Sequence, residues 1–315
     1  GGGHRPLLCG GAHAGVEAHL LALTSPRSRA AAHFSGAAAN ARERGVTGPP
    51  AAAPRWVCCQ LGAREHYAVP RALHRRGSLA RLITDAWVPP GSLVDALPGP
   101  QARRLSERYH PELGGAAVTQ FTASLVAREL EWRVTGRSGW PLFIERNRWF
   151  QRQAAATLDG SPGLQHQIVF AHSYAALEIF QRARAAGARC VLGQIDPGAA
   201  HFEIVRDAAL AAPEYGPPPA SPPPEYLSQW HEECGLADQI VVNSEWSRSC
   251  LERAGIPAAK LRIVPLAYEP ESLDMTPRNY PGAFSVTRPL RILFVGQVSV
   301  AKGAAALLDT VALLQ

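Results

Sequence analysis

Lysine is nearly missing from this chain: of 32 basic residues only Lys260 and Lys302 are lysines, so arginine carries the net charge of +6. Five Arg against two Glu in residues 1–54 supply +3 of that excess, and the other +3 is spread over 261 residues. No basic run with interleaved aromatics results, which excludes a nucleic-acid backbone stripe. Methionine occurs once, as Met275 and not at position 1. The expectation is a fragment, or a reading frame that starts in the wrong place, with an Ala, Gly, Pro and Arg excess that reflects GC-rich coding as much as physics. Long hydrophobic runs are also missing. Nothing approaches the roughly 20 apolar residues of a membrane span, and His19 to Leu23 is too short for a signal-peptide core. The six cysteines (Cys9, Cys58, Cys59, Cys190, Cys234, Cys250) include no pair at the two-residue gap of a zinc or redox motif. They read as reduced, buried thiols of a cytoplasmic protein, or of one peripheral to a membrane.

What is present is ample apolar material. A chain of 315 residues, 46% hydrophobic and 18% charged, can build one large or two ordinary domains, which excludes a disordered tail protein or a small disulfide-stapled module. Residues 1–54 are Ala/Gly/Pro-rich without sustained periodicity. They are expected to be disordered or non-native, so their four histidines are not read as a metal site.

Order is expected from Trp56, where "WVCCQLGAREHYAVPRALHRRGSLARLITD" reads as strand, Gly-containing turn, helix, Gly77 stop and a second strand near Leu79 to Thr84, a βαβ unit. Pro70 must then lie early in the helix. Pro90 to Leu158 is helical by pattern, and Trp87, Trp132, Trp140 and Trp149 read as packing anchors rather than base-stacking platforms. A second alternation follows: a strand ending at His172, a helix from Tyr174, a strand running to Asp196, and a helix from about Ala199. Seven prolines between Pro213 and Pro224 predict an extended surface loop. A helix through "EYLSQWHEECGLA", a strand "DQIVVNS", a helix capped by Ser244 and a strand "LRIVPLA" complete the series. Strands alternating with helices predict an α/β fold, a Rossmann-like parallel sheet with helices on both faces. The expected division is 1–54 low-complexity, 55–268 an N-terminal Rossmann-like domain, 269–289 a proline-containing linker, and 290–315 the first strand-helix unit of a second, truncated Rossmann-like domain.

The stretch "LADQIVVNSEWSRSCLERAGIPAAKLRIVPLAYEP", followed after the linker by "RILFVGQVSVAKGAAALLDTVALL", resembles the interdomain region of glycosyltransferase family 4, the group 1 glycosyltransferases of GT-B fold. The resemblance covers about residues 56–315. It implies two Rossmann-like domains across a cleft, with the acceptor held mainly by the first and a nucleotide-diphosphate sugar mainly by the second. It also implies transfer with retention of configuration, no cofactor and no essential metal. Residue by residue, it places Lys302 and Gly303 on the donor diphosphate, where a cation and free N–H groups at a helix start neutralise the leaving group. Gly296 and Gln297 match a Gly-Arg pair of many relatives, one cation being replaced here by an amide. The turn Gly62 to His66 falls against the donor phosphates through Gly62 or against the acceptor through Arg64 and His66. His172 faces the sugar as the catalytic candidate, and Asp196 is a candidate for acceptor hydroxyls.

Two patterns are set aside. "HEECG" at His231 to Gly235 lacks the second histidine of a helical zinc site. Glu225 and Glu233 are read as residues of an exposed helix. The expected function is therefore sugar transfer from a nucleotide-diphosphate sugar to an acceptor hydroxyl on a glycan, a lipid-linked or a small molecule, with no nucleic-acid partner and no transmembrane segment. The alternatives are a non-catalytic Rossmann-like protein that binds a glycan or a partner, and another GT-B enzyme such as an epimerase. As cut, the chain is expected to be inactive.

Overall fold

The computed structural model describes residues 55–92, 105–266, 282–296 and 298–314. The expectations for residues 1–54, Cys9, Gln297 and most of the linker lie outside them. The strands are β1 (Arg55–Gln60), β2 (Leu79–Thr84), β3 (Val118–Gln120), β4 (Gln167–His172), β5 (Arg189–Gly193), β6 (Gln239–Val242) and β7 (Leu261–Ile263). They form one seven-stranded sheet in the order β3-β2-β1-β4-β5-β6-β7, every neighbour parallel. The helices are α1 (Ala68–Arg75), α2 (Thr122–Val134), α3 (Gly139–Leu158), α4 (Leu177–Ala185), α5 (Ala199–Ala211), α6 (Pro224–Leu236), α7 (Glu245–Arg253) and α8 (Ala304–Leu313). This is the expected Rossmann-like α/β fold.

The central strands read as unbroken apolar runs because both of their faces are covered. Side chains alternate across a strand, and the two cores follow that parity. Val57, Cys59, Val169, Ala171, Cys190 and Leu192 face one side, packed with Phe150, Ile179, Phe180 and Trp230 from α3, α4 and α6. Trp56, Cys58, Ile168, Phe170 and Val191 face the other, against Tyr67, Leu73 and Leu113. The five described cysteines are free and buried, and burial pushes the Cys59 and Cys190 thiols up to about 12, so they are inert small hydrophobes. Trp132 and Trp149 are buried in the helical layer, as expected of packing anchors.

The βαβ unit forms as read. Pro70 lies in the first turn of α1, and Gly77, at φ 66°, ends that helix in the left-handed region that favours glycine. Ser244 caps α7 by accepting from the Ser247 N–H at 3.2 Å. Five expectations are corrected. The section read as helical throughout holds the short strand β3, three residues long and too brief to show a period. α4 begins at Leu177 and not at Tyr174, and β5 stops at Gly193, three residues before Asp196. Glu233 is 1% exposed, not on an exposed face, whereas Glu225 is exposed. The strand expected at the start of the second unit is not formed. Residues 291–295 carry no regular structure, and Leu293 and Val295 are each 84% exposed. A strand exists through its ladder partners, and among the described residues nothing pairs with this one. The helix after it, α8, does form. Its preceding turn, Val300–Lys302, lies against α5.

Candidate functional site at the carboxyl edge of the sheet

The chain moves outward from β1 to β2 and β3, then crosses to β4 and proceeds to β7. The crossover direction therefore reverses between β1 and β4. Open α/β sheets bind ligands in the crevice outside the carboxyl ends of such a strand pair. Here that crevice is bordered by the turn after β1, from Leu61 to Tyr67, and the turn after β4, from His172 to Ala176.

The first turn is shaped by buried polar groups. Gln60, 1% exposed, donates its amide to the carbonyls of Gly62 and Arg64 at 3.1 and 3.0 Å. The Gly62 N–H donates to Asp85 Oδ1 at 2.8 Å, and Arg108 Nη1 donates to both Asp85 oxygens at 2.9 Å. A Cβ on Gly62 would stand 3.0 Å from Arg108 Nη1, and its φ is 84°, so this position takes glycine for two reasons. Glu65, His66 and Tyr67 then follow at φ 52°, 49° and 60°, three consecutive non-glycine residues in the left-handed region. Such a conformation costs roughly 1–2 kcal/mol per residue. It is held by the buried Tyr67 ring, packed edge-on to Trp87 at 5.5 Å, and by the His66 N–H, which donates to the Ala63 carbonyl at 3.0 Å. The effect is to thrust Arg64, Glu65 and His66 into solvent at the crevice mouth.

On the facing turn, His172 packs its ring against the Gly193 backbone and edge-on to Phe170 at 5.1 Å. A Cβ on Gly193 would fall 2.6 Å from Phe170 Cζ and 2.9 Å from His172 Nδ1, so only glycine lets the ring sit there. His172 Nδ1 is sealed from solvent and, among the described residues, has no hydrogen-bond partner. Desolvation, reinforced by the nearby Arg64 charge and only partly opposed by the Gly193 backbone, lowers the imidazole from 6.5 to about 3. The two turns thus meet electrostatically, and His172 is neutral at any ordinary pH.

The start of α4 is filled from within the protein. Glu233 Oε2 accepts from the Tyr174 N–H at 2.6 Å, and Oε1 accepts from the Ala176 and Leu177 N–H groups at 2.9 and 3.1 Å. Burial raises this carboxyl from 4.5 to about 7 despite those three donors. Tyr174, at φ 70°, turns its ring onto Tyr226 in a stack of 4.5 Å and donates its hydroxyl to Asp196 Oδ1 at 2.8 Å.

Asp196 Oδ1 also accepts from Gln194 Nε2 at 3.1 Å and from the Gly198 N–H at 2.8 Å, while Gln194 Oε1 accepts from Trp230 Nε1 at 3.0 Å. One oxygen of Asp196 is therefore committed to the turn before α5. The other has no protein donor among the described residues. Lys302 is exposed on its turn and Gly303, at φ 77°, opens α8. Gly296 lies in an exposed bend at φ 143°. The structure brings Arg64 and His172 together, with His66 exposed beside Arg64. Among the described residues no hydrogen bond or ion pair joins Lys302 or Gly296 to them. No cluster of three or more His, Cys, Asp or Glu suited to a metal is found among the described residues, and no described helix is long and apolar enough to cross a membrane.

No family model matches the chain, and no curated protein does. Among solved structures, the crystal structure of LpCGTa in complex with UDP is similar at 14% identity and a TM-score of 0.36, over 71% of this chain and 56% of that one. The chain thus spans about half the length of that neighbour. A likeness at this level bears on neither substrate nor chemistry.

Sequence reasoning found the two turns and missed what holds them. Asp85 and Arg108 clamp the first, Glu233 fills the second, and Gly193 makes room for the His172 ring. One signal was available for Asp85: an acid directly after an apolar strand, at the same sheet edge as the Gly62 turn. Glu233 gave none, because its partners lie 56 to 59 residues away.

Proposed function

We propose that the chain is a glycosyltransferase that uses a nucleotide-diphosphate sugar, and that the β1–β4 edge is its acceptor-facing side. One observation carries the reading of the edge. The N–H groups that could hold an anion there are engaged by the protein's own carboxylates, Gly62 by Asp85 and the start of α4 by Glu233. A nucleotide phosphate finds little to bind at this edge. A neutral ligand rich in hydroxyls finds a neutral imidazole, the second oxygen of Asp196 and the exposed Arg64. This moves Gly62 from the donor side of the reaction to a structural role.

A histidine held near 3 is a poor proton acceptor at neutral pH, since general-base efficiency favours a pKa near the working pH. His172 is accordingly proposed to orient a sugar hydroxyl through a hydrogen bond. Donor recognition is assigned to the second unit, with Lys302 and the N–H groups at Gly303 neutralising the diphosphate, and with Gly296 and Gln297 assigned to the same donor by the sequence resemblance. Family 4 membership, retention and independence from metal and cofactor belong to the same proposal, and rest on the sequence resemblance.

The test measures sugar transfer and donor hydrolysis with a panel of nucleotide-diphosphate sugars, alongside chemical-shift mapping with neutral saccharides. Saccharides are expected to move the His172 and Arg64 resonances, and His172→Ala to abolish that response while the sheet stays folded. A folded protein that shows neither saccharide shifts at this edge nor any binding of nucleotide sugars would overturn the proposal.

A further inference from the structure

A second region of the molecule carries unused binding chemistry. Between α2, α3 and the proline-rich loop that leads to α6 lies a groove of about 620 Å³. It shares no residue with the β1–β4 edge. Trp140 anchors its loop side, donating Nε1 to the Ala220 carbonyl at 3.0 Å and packing on Tyr226 at 4.9 Å.

Four arginines line the groove against two glutamates. Three of the arginines are engaged: Arg128 with Glu131 at 2.8 Å, Arg137 with Glu145, and Arg152 with Glu178 at 3.6 Å. Arg148 is different. It is half-buried on α3, and among the described residues it has neither an ion-pair nor a hydrogen-bond partner. The indoles of Trp132 and Trp149 line the same wall, set edge-on at 6.5 Å, and the Nε1–H of each is buried without an acceptor among the described residues. Buried donors are ordinarily satisfied. Here one wall holds two donors without acceptors and one guanidinium without an anion. Both indole N–H groups are closed to bulk water, and their signals report on changes in the wall around them.

We infer that this groove is a binding site for a small phosphorylated ligand, with the phosphoryl oxygens taken by Arg148 beside the two buried indoles. The chemistry fits, because a guanidinium fork matches the oxygens of a phosphate bidentately. A neutral polyol would leave the Arg148 guanidinium without an anion. The inference is independent of the proposed sugar transfer.

The experiment follows the indole N–H resonances of Trp132 and Trp149, with titration calorimetry, as the full chain is titrated with inorganic phosphate, glucose 6-phosphate, AMP and plain glucose. At least one phosphorylated probe is expected to shift both indole signals, and glucose to leave them unmoved. A response to glucose 6-phosphate but not AMP identifies a sugar phosphate, and the reverse identifies a nucleotide. Arg148→Gln should weaken binding about tenfold or more, with Arg148→Lys between it and the native protein, because a point charge lacks the fork. His172→Ala should leave binding unchanged, which separates this site from the sheet edge. Absence of indole shifts with every phosphorylated probe, equal shifts with glucose, or full binding by a folded Arg148→Gln protein would each overturn the inference.

Discussion

His172 and Glu233 stand at the same carboxyl edge of the sheet with displaced and opposite proton affinities, and their effects on stability should cancel over a defined pH range. His172 falls from 6.5 to about 3 in the folded protein, while Glu233 rises from 4.5 to about 7. Between pH 4.5 and 6.5 the unfolded chain carries a proton on His172 that the folded protein lacks. The folded protein carries one on Glu233 that the unfolded chain lacks. Stability rises with pH wherever the unfolded state binds more protons, by about 1.4 kcal/mol per pH unit for each proton of difference. The His172 contribution is fully present above pH 6.5 and is lost as pH falls towards 3. The Glu233 contribution is fully present below pH 4.5 and is lost as pH rises towards 7. Inside the shared window the two slopes oppose each other, so the pair adds almost nothing to the pH dependence of the native protein.

Single substitutions expose the slopes. Glu233→Gln leaves His172 alone, and stability should climb by roughly 3 kcal/mol from pH 4.5 to 6.5 relative to the native curve. His172→Gln leaves Glu233 alone, and stability should fall by a similar amount over the same range. Each variant also carries a constant offset. The amide introduced by Glu233→Gln cannot accept from three N–H groups with both of its heavy atoms, but that offset has no pH slope. Urea unfolding at half-unit pH intervals measures the curves, and NMR titration of the His172 Cε1–H assigns the proton directly. Arg64→Gln should raise the His172 midpoint only part of the way to 6.5, because desolvation is the larger cause. Curves for native, Glu233→Gln and His172→Gln proteins that run parallel between pH 4.5 and 6.5, or a native His172 midpoint near 6.5, would refute the reasoning.

Asp85→Asn should cost about 2–3 kcal/mol in urea unfolding, since it removes a buried carboxylate that Arg108 and the Gly62 N–H share. Gly193→Ala should destabilise by about 2 kcal/mol and displace the His172 ring resonances, because the new methyl meets Phe170 and His172 inside contact distance. Lys302→Ala should leave the unfolding midpoint unchanged, as the side chain is exposed, and should weaken binding of nucleoside diphosphates if the proposed donor role is right, as read by calorimetry.

The fold was largely legible because its signals are local. β1 and β4 are built around apolar runs buried on both faces. Gly77 and Gly187 end helices at φ 66° and 79°, and Ser244 sits directly before its helix. At the start of α4 the difference comes from a long-range contact. The pattern of residues 174–186 suits a helix from Tyr174. In the structure Glu233 reaches across from α6, takes the Tyr174 N–H into a left-handed turn and delays the helix to Leu177. The same contact buried a glutamate that periodicity placed on an exposed face.

The candidate site divides in the same way. Strand ends that carry Gly62, Arg64 and His172 can be located from pattern alone, and the sheet order then brings them to one edge. Whether that edge binds an anion cannot be read there, because the answer is held by Asp85, 23 residues from Gly62, and by Glu233, 57 residues from Ala176. Two carboxylates from outside the turns fill the positions that an α/β fold ordinarily offers to phosphate. A βα turn with its N–H groups open would favour a nucleotide, and the same turn closed by an internal acid favours a neutral ligand. The identity of the ligand at this edge therefore depends on two residues that no motif in the turns contains.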